Sequence, residues 1–174
     1  MRRDKPHWRP AWGAIALVAL LGLSLSGCGY QLRGAQGLPD DLAQAYVKVR
    51  TAELDNIMSE LVASSGATRV WLRTDASLII IVDDEELSER LLSVDPNTGK
   101  AREFEVSYSV QFQVDAAGRN LIPRQRLRIV RDYVFDGDAV IGKSRERGVL
   151  QAEMRQDIAR QIFNRIRAAY RERG

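Results

Sequence analysis

The residue best suited to covalent chemistry is Cys28, the single cysteine of the 174-residue chain. It closes the run Leu25-Ser26-Gly27-Cys28, which has the form of a lipobox: a large apolar residue, two small residues and a cysteine. The small residues would let a signal peptidase approach the peptide bond before Cys28, and the thiol could carry diacylglycerol as a thioether. We therefore predict cleavage after Gly27 and a covalent lipid on Cys28, made of S-diacylglycerol and an N-acyl chain such as palmitate.

The segment before the lipobox supports this prediction. A positively charged start is followed by residues 11–25, which are almost wholly apolar or small and are shorter than the ~20 residues of a spanning helix. The alternative is a plain signal peptide or an N-terminal membrane anchor with a chance cysteine. Two or three acyl chains would anchor the protein stably. Gly29 stands where an aspartate would favour inner-membrane retention in many bacteria, so we expect the outer membrane.

Side chains that enzymes commonly use are missing from the predicted mature chain. His7 is the only histidine and lies in the signal segment, and Cys28 would be lipidated. This excludes Ser-His and Cys-His catalysis and argues against a zinc site. The consecutive carboxylates of residues 83–86 could attract a cation, but their spacing is more typical of a solvated acidic turn. We predict a non-enzyme with no catalytic residue, no metal and no cofactor other than the lipid.

The charge of the whole chain misleads, because the formal value of +3 comes from the predicted signal peptide. From Cys28 onward acidic and basic residues balance, which argues against a general polyanion binder such as a nucleic-acid-binding protein. The two parts of the mature chain differ, however: residues 28–118 hold 8 basic and 15 acidic residues, and residues 119–174 hold 14 and 7. This asymmetry indicates either an anionic ligand or polarised interface, or elements of the two parts that pair and neutralise each other.

Hydrophobic periodicity predicts the element order β-α-β-β-β-α over residues 45–174, after a tether over residues 28–44. We predict strands over 45–50, 78–82, 103–114 and 121–135, one helix between a Thr51 cap and Gly66, and another from a Ser144 cap to residue 170. Residues 85–94 are compatible with a helical turn or with a strand running into a hairpin. Turns are predicted at 95–99 and 118–120.

These elements indicate an α+β fold of one domain. We expect a two-layer sandwich in which a mostly antiparallel four-stranded sheet carries both helices on its apolar face. The strand at 103–114 alternates strictly between apolar and polar residues, so one face of the sheet should be buried and the other wet. The wet face would carry the row Arg124, Arg126 and Arg128, which is either solvent-exposed or an interaction surface.

Several short motifs carry a family resemblance. The run from Cys28 to Gly34 (Cys-Gly-Tyr-Gln-Leu-Arg-Gly), the segments Arg131-Asp132-Tyr133 and Val140-Ile141-Gly142-Lys143, and Glu153-Met154 with Asp157, Ala159 and Gln161 occur in that order behind the lipobox. Together they resemble the LptE family of lipopolysaccharide-assembly lipoproteins. The chain departs from the family pattern in its acidic middle, at residues 83–95.

The resemblance implies a non-enzymatic partner of an LptD-like outer-membrane β-barrel. Proteins of this family sit inside the barrel as a plug, help it fold and bind lipopolysaccharide, on the periplasmic side of the outer membrane. Lys143 matches the family's basic position in the loop before the last helix. From charge and position we add Lys100 and Arg102, beyond the hairpin turn, and the Arg124, Arg126 and Arg128 row as candidates for binding lipopolysaccharide, because cations engage its phosphates and acidic sugars. The alternative for each is an ordinary surface charge.

Two other classes of protein stay open. One is a periplasmic lipoprotein accessory of another envelope transport complex, which would have no barrel partner. The other, more remote, is a hydrolase that relies on carboxylates alone.

Overall fold

The computed structural model describes residues 37–134 and 140–172, with the backbone alone for residues 140–145. The predicted signal peptide, Cys28, most of the predicted tether and Phe135 lie outside these residues.

The described chain forms a five-stranded sheet and two helices. The elements are β1 (Gln44–Lys48), α1 (Ala52–Ser64), β2 (Thr68–Val70), β3 (Leu78–Val94), β4 (Ala101–Ala116), β5 (Arg119–Val134) and α2 (Val140–Arg171). The strand order is β2-β1-β3-β4-β5. β1 is parallel to both of its neighbours, and β3, β4 and β5 are antiparallel.

The predicted α+β class is confirmed. The prediction of a four-stranded, mostly antiparallel sheet is wrong in detail. The sheet is mixed and has a fifth strand, β2, which is only three residues long and too short to show an alternating pattern. β1 and β2 pair in parallel because α1 connects them as a crossover, the kind of connection that parallel strands need.

The core lies between the sheet and the helices. Along β4 the even-numbered side chains from Val106 to Val114 are at most 1% exposed, as the alternation predicted. They join a row of buried residues from both helices: Leu54, Met58 and Val62 in α1, and Met154, Ile158, Ile162 and Ile166 in α2. Burial of each such side chain contributes about 1.5–3 kcal/mol, so packing holds both helices on one face of the sheet.

The core also begins upstream of residue 45. Leu38 and Leu42 are buried in the same cluster, and the backbone N–H of Leu38 donates to the carbonyl of Ser65 at 2.9 Å. The end of the predicted tether is therefore packed into the domain.

Residues 83–94 belong to β3, which decides between the two open interpretations in favour of the strand. Asp83 is opposite Gln111 and Glu86 is opposite Ser109, so β3 has one more residue than β4 between these pairs. Asp84 has a φ of +48° at this β-bulge. Because side chains alternate along a strand, the extra residue reverses which ones face the helices: Val82 does so before the bulge and Glu85 after it.

Three smaller details at the ends of helices and strands differ from the prediction. α2 begins at Val140, so Ser144 lies inside the helix and does not cap it. Thr51 precedes α1, but its hydroxyl accepts no hydrogen bond from the backbone N–H groups of the helix and instead donates to Glu85. The turn between β4 and β5 consists of Ala117 and Gly118, both with positive φ, and β5 starts directly at Arg119. The predicted Gly66 stop of α1 is confirmed, with a φ of +82°.

The three antiparallel strands extend past the rest of the sheet. β1 pairs only with residues 78–81 of β3, so the ribbon of β3, β4 and β5 continues alone to the hairpin at 95–100. Asp95 closes this hairpin, since its carboxylate accepts the backbone N–H groups of Asn97 and Thr98, each at 2.9 Å.

Candidate functional surface

The face of the ribbon that points away from the helices is largely polar, and we call it the open face. β4 contributes its odd-numbered residues, from Glu103 to Asp115, and β5 contributes Arg124, Arg126 and Arg128. Ser107 and Ser109 are nevertheless buried here. The hydroxyl of Ser107 is 2.8 Å from that of Ser88, and Arg126 donates to the hydroxyl of Ser109 at 3.0 Å. Small hydroxyl groups in the central strand thus let longer side chains close over them.

Arg124 is tied to carboxylates on the far side of β4. It donates to Asp83 at 2.9 Å, to Asp84 at 3.3 Å and to the side-chain amide oxygen of Gln111 at 2.7 Å. The bulge supplies this contact, because it places two successive aspartates at the edge of the open face. Much of the positive charge of Arg124 is therefore already compensated.

Arg126 and two arginines of α2 repeat this pattern. Arg126 lies 3.3 Å from Glu86, Arg147 lies 3.3 Å from Glu89, and Arg155 lies 3.6 Å from Glu85. Each of these pairs joins the acidic part of the chain to the basic part. For these residues the charge asymmetry of the sequence is explained by mutual neutralisation, one of the two interpretations that the sequence left open.

Arg128 differs from its two neighbours in the row. It is exposed, opposite Ser109 in the strand register, and within residues 37–134 and 140–172 it has no ion-pair partner. Of the three arginines, it is the one whose charge is available to an external anion.

Lys100 and Arg102 lie at the other end of the open face, at the hairpin. Both are exposed. The pKa of Asp95 is lowered from its usual 3.8, first by the hydrogen bonds from Thr98 and Asn97 and in smaller part by the charge of Arg102. Gln111, the residue opposite Arg126, is the ninth residue after Arg102 along β4, which is about 30 Å away at ~3.3 Å per residue. The structure therefore does not bring the hairpin residues and the arginine row into one site.

Lys143 lies in the first turns of α2, so the position predicted in a loop is helical. Its side chain is outside the described residues. The strand that precedes it, β5, ends at Val134 opposite Glu103, close to the hairpin.

A polar cluster around Glu85 was missed by the sequence analysis. The Glu85 side chain is 10% exposed; one carboxylate oxygen accepts from the Tyr108 hydroxyl at 2.8 Å and the other from Thr51. Arg155 approaches from α2. Burial, followed by the bond to Glu85, raises the pKa of Tyr108, so its hydroxyl stays protonated and donates. Glu85 is thus not part of a solvated acidic turn, and a bulge that sequence patterns do not reveal is the reason.

Over residues 37–134 and 140–172 no group of three or more histidine, cysteine or acidic side chains could hold a metal ion. Two open grooves of about 350 and 330 Å³ lie beside α2, one against the start of β5 and one against α1. Within the same residues, no helix combines the length and the apolar character needed to cross a membrane.

Comparison with known proteins identifies a family model and relatives that this chain is similar to. A family model for LptE, described as lipopolysaccharide-assembly, matches residues 32–166. The LPS-assembly lipoprotein LptE of Yersinia enterocolitica is 27% identical over 157 residues, which is 86% of this chain and 74% of the relative.

Two solved structures share the fold. The rare lipoprotein B of Shewanella oneidensis has a TM-score of 0.66 at 26% identity, covering 74% of this chain and 97% of that one. Lipoprotein B of Nitrosomonas europaea has a TM-score of 0.63 at 25% identity, covering 77% and 87%.

Proposed function

Because the chain belongs to the LptE family and is a lipopolysaccharide-assembly lipoprotein, we propose that it plugs an LptD-like outer-membrane β-barrel and supports the assembly of that barrel. In the same proposal it takes part in binding lipopolysaccharide and inserting it into the outer leaflet. The family match over residues 32–166, directly behind a lipobox at Cys28, is the observation that carries the proposal. In this proposal the protein is not an enzyme, and its only attached group is the lipid on Cys28, which holds it on the periplasmic side of the outer membrane.

The open face supports the role of a plug. Large outer-membrane barrels have polar, water-filled lumens, so a protein that fills one needs polar side chains on the surface that meets the wall. Most of the open face consists of serines, glutamines and charged residues, with the exposed Val130 and Val134 at the hairpin end of β5, along strands of 16 residues, about 50 Å in length. This exceeds the ~25 Å apolar band of such barrels, so a ribbon of this length would span the lumen.

The basic residues support contact with lipopolysaccharide to different degrees. Lys143, Lys100 and Arg102 belong to the end of the molecule that carries the hairpin, and Arg128 is the exposed member of the row. Arg124 and Arg126 already bind carboxylates, so a phosphate would have to compete with these partners. We propose Lys143, Arg102 and Arg128 as the main candidates, keep Lys100 as a candidate because of its position beside Arg102, and assign Arg124 and Arg126 a smaller contribution.

Co-purification tests the barrel partner. The lipidated protein should be recovered from detergent-solubilised outer membranes together with a large β-barrel, and its mass should include the lipid on Cys28. The Cys28→Ala variant serves as the control and should lose the lipid mass. Recovery of lipidated protein with another envelope complex and without a barrel would overturn the plug and favour the transport-accessory alternative.

A direct binding assay tests the ligand. Lys143→Glu should weaken lipopolysaccharide binding while the circular dichroism spectrum stays unchanged. The matched control is Arg119→Glu, which reverses an exposed arginine at the opposite end of β5. Equal affinity of the Lys143→Glu variant and the unmodified protein would count against this site.

A further inference from the structure

Two large apolar side chains next to each other stand out on the surface of the domain. Trp71 is 78% exposed and Leu72 is 63% exposed, the two highest values among the exposed large hydrophobic residues of the described chain. They follow the last residue of β2 and precede the turn at 73–75. We call these two residues the Trp71–Leu72 patch.

The indole ring is held in place although it is exposed. The guanidinium of Arg69 lies 4.9 Å from the ring centre, within the range of a cation–π contact. Arg69 itself is anchored to α1 by two hydrogen bonds to the carboxylate of Asp55, at 2.7 and 2.9 Å. The ring is therefore presented by a fixed support, which lowers the entropy lost when it inserts into another phase.

Basic residues flank the patch. Tyr46 is opposite Val70 in the parallel pairing of β1 and β2, so Lys48, the last residue of β1, lies at the same end of the sheet as Leu72. Lys48 and Arg50 are exposed, and within the residues that the structure describes neither has an ion-pair partner. Asp75, on the same loop, accepts from Thr74. An exposed tryptophan and leucine beside free cations match the boundary between lipid headgroups and acyl chains.

The chain that leads to the membrane enters the domain near this patch. Leu38 bonds to Ser65, and Trp71 is the sixth residue after Ser65, a distance of at most ~20 Å along the chain. Leu38 is the tenth residue after Cys28, a reach of at most ~35 Å. A lipid on Cys28 would thus limit the distance between the patch and the leaflet to at most about 55 Å.

We propose that the Trp71–Leu72 patch inserts into the lipid interface of the leaflet that holds Cys28, with Lys48 and Arg50 against the headgroup phosphates. This inference rests on the proposed lipid anchor. The patch is a second, weaker contact that sets the orientation of the domain on the membrane, whereas the lipid itself supplies the permanent attachment.

Tryptophan fluorescence provides a direct test, because the chain has three tryptophans and the other two, Trp8 and Trp12, lie in the predicted signal peptide. With both replaced by phenylalanine, all emission comes from Trp71, whether or not cleavage occurs. The lipidated protein is reconstituted into vesicles of phosphatidylethanolamine and phosphatidylglycerol with phospholipids brominated near the glycerol end of the acyl chains. We expect emission at shorter wavelength than from an exposed tryptophan, and quenching by the brominated lipid.

A tryptophan moved elsewhere is the matched control. In the Trp71→Phe background, Val149→Trp places the fluorophore at a 57% exposed position on α2, and its emission should not be quenched. Absence of quenching at Trp71, or equal quenching at both positions, would overturn the proposal. A shift to shorter wavelength without quenching would also overturn it and would indicate that the patch contacts a second copy of this chain. The mass of the lipidated protein and the co-purification of a barrel test the proposed function separately from this inference.

Discussion

Tyr108 donates its hydroxyl to Glu85 at 2.8 Å, although the residue directly opposite Tyr108 in the strand register is Leu87. The bond is therefore diagonal between two positions on the same face of the sheet. It exists only because the bulge at Asp84 turns Glu85 toward the helices. A single extra residue in β3 thus creates the polar cluster that joins the start of α1, two strands and α2.

Removal of the Glu85 carboxylate should destabilise the domain. In Glu85→Ala, the Thr51 and Tyr108 hydroxyls and the Arg155 guanidinium lose an acceptor that is 10% exposed, and we expect the free energy of unfolding to fall by about 3 kcal/mol. Urea denaturation measures the change. The control, Glu86→Ala, removes a 66% exposed carboxylate and should cost about 1 kcal/mol or less. Similar losses in the two variants would contradict the assigned role of Glu85.

The backbone conformation of the bulge leads to a separate prediction for the stability of variants at Asp84. Its φ of +48° is unfavourable for a β-branched side chain and easy for glycine. Asp84→Val and Asp84→Gly both remove the contact with Arg124, so the difference between them isolates the backbone. We expect the valine variant to be about 1–2 kcal/mol less stable than the glycine variant in thermal or urea unfolding. Equal stability would mean that the bulge relaxes when Asp84 is replaced.

Arg124 should contribute to stability more than to ligand binding. Because it bridges to Asp83, Asp84 and Gln111, Arg124→Ala should lower the free energy of unfolding by roughly 0.5–1 kcal/mol, the usual value for exposed ion pairs. Arg128→Ala, which removes no ion pair among the described residues, should leave the unfolding midpoint unchanged. The reverse ranking in urea denaturation would argue against the pairing.

Arg128 should instead affect lipopolysaccharide binding. A charge-assisted hydrogen bond to a phosphate is worth about 1.5–3 kcal/mol, so Arg128→Ala should raise the Kd for lipopolysaccharide about tenfold or more if Arg128 makes such a contact. Arg119→Ala removes another exposed arginine of the same strand and serves as the control. If both variants bind as tightly as the unmodified protein, Arg128 is an ordinary surface charge.

The hairpin turn should loosen in acid. Hydrogen bonds from Thr98 and Asn97 hold the pKa of Asp95 below 3.8, which means that the turn is stabilised by the ionised carboxylate. This stabilisation is complete above pH 3.8 and is lost as the pH falls through the lower pKa of the folded turn. NMR titration should show the amide signals of Asn97 and Thr98 moving together at that lower pH. In Asp95→Asn the movement should disappear; a midpoint at or above 3.8 would contradict the prediction.

The sequence by itself determined the features that depend on local order. The lipobox prediction needs only four consecutive residues, and strict alternation over 103–114 was sufficient for β4 and its two faces, because a strand places successive side chains on opposite sides. The helical rows of α1 and α2 follow in the same way from a spacing of three and four residues. The family resemblance also rested on short motifs, and it is confirmed by the match over residues 32–166.

Only the tertiary structure decided the features that depend on register between distant segments. β2 has three residues and is a strand because β1 pairs with it. The sequence could not show which arginines of the row are paired. Arg124 and Arg126 bind carboxylates some 40 residues away across β4, whereas Arg128 has no ion-pair partner among the described residues. The position of Glu85 depends on one extra residue in β3, and neither periodicity nor charge reveals such a bulge. Cross-strand register determines which charges meet, and that register is set by packing of the whole sheet.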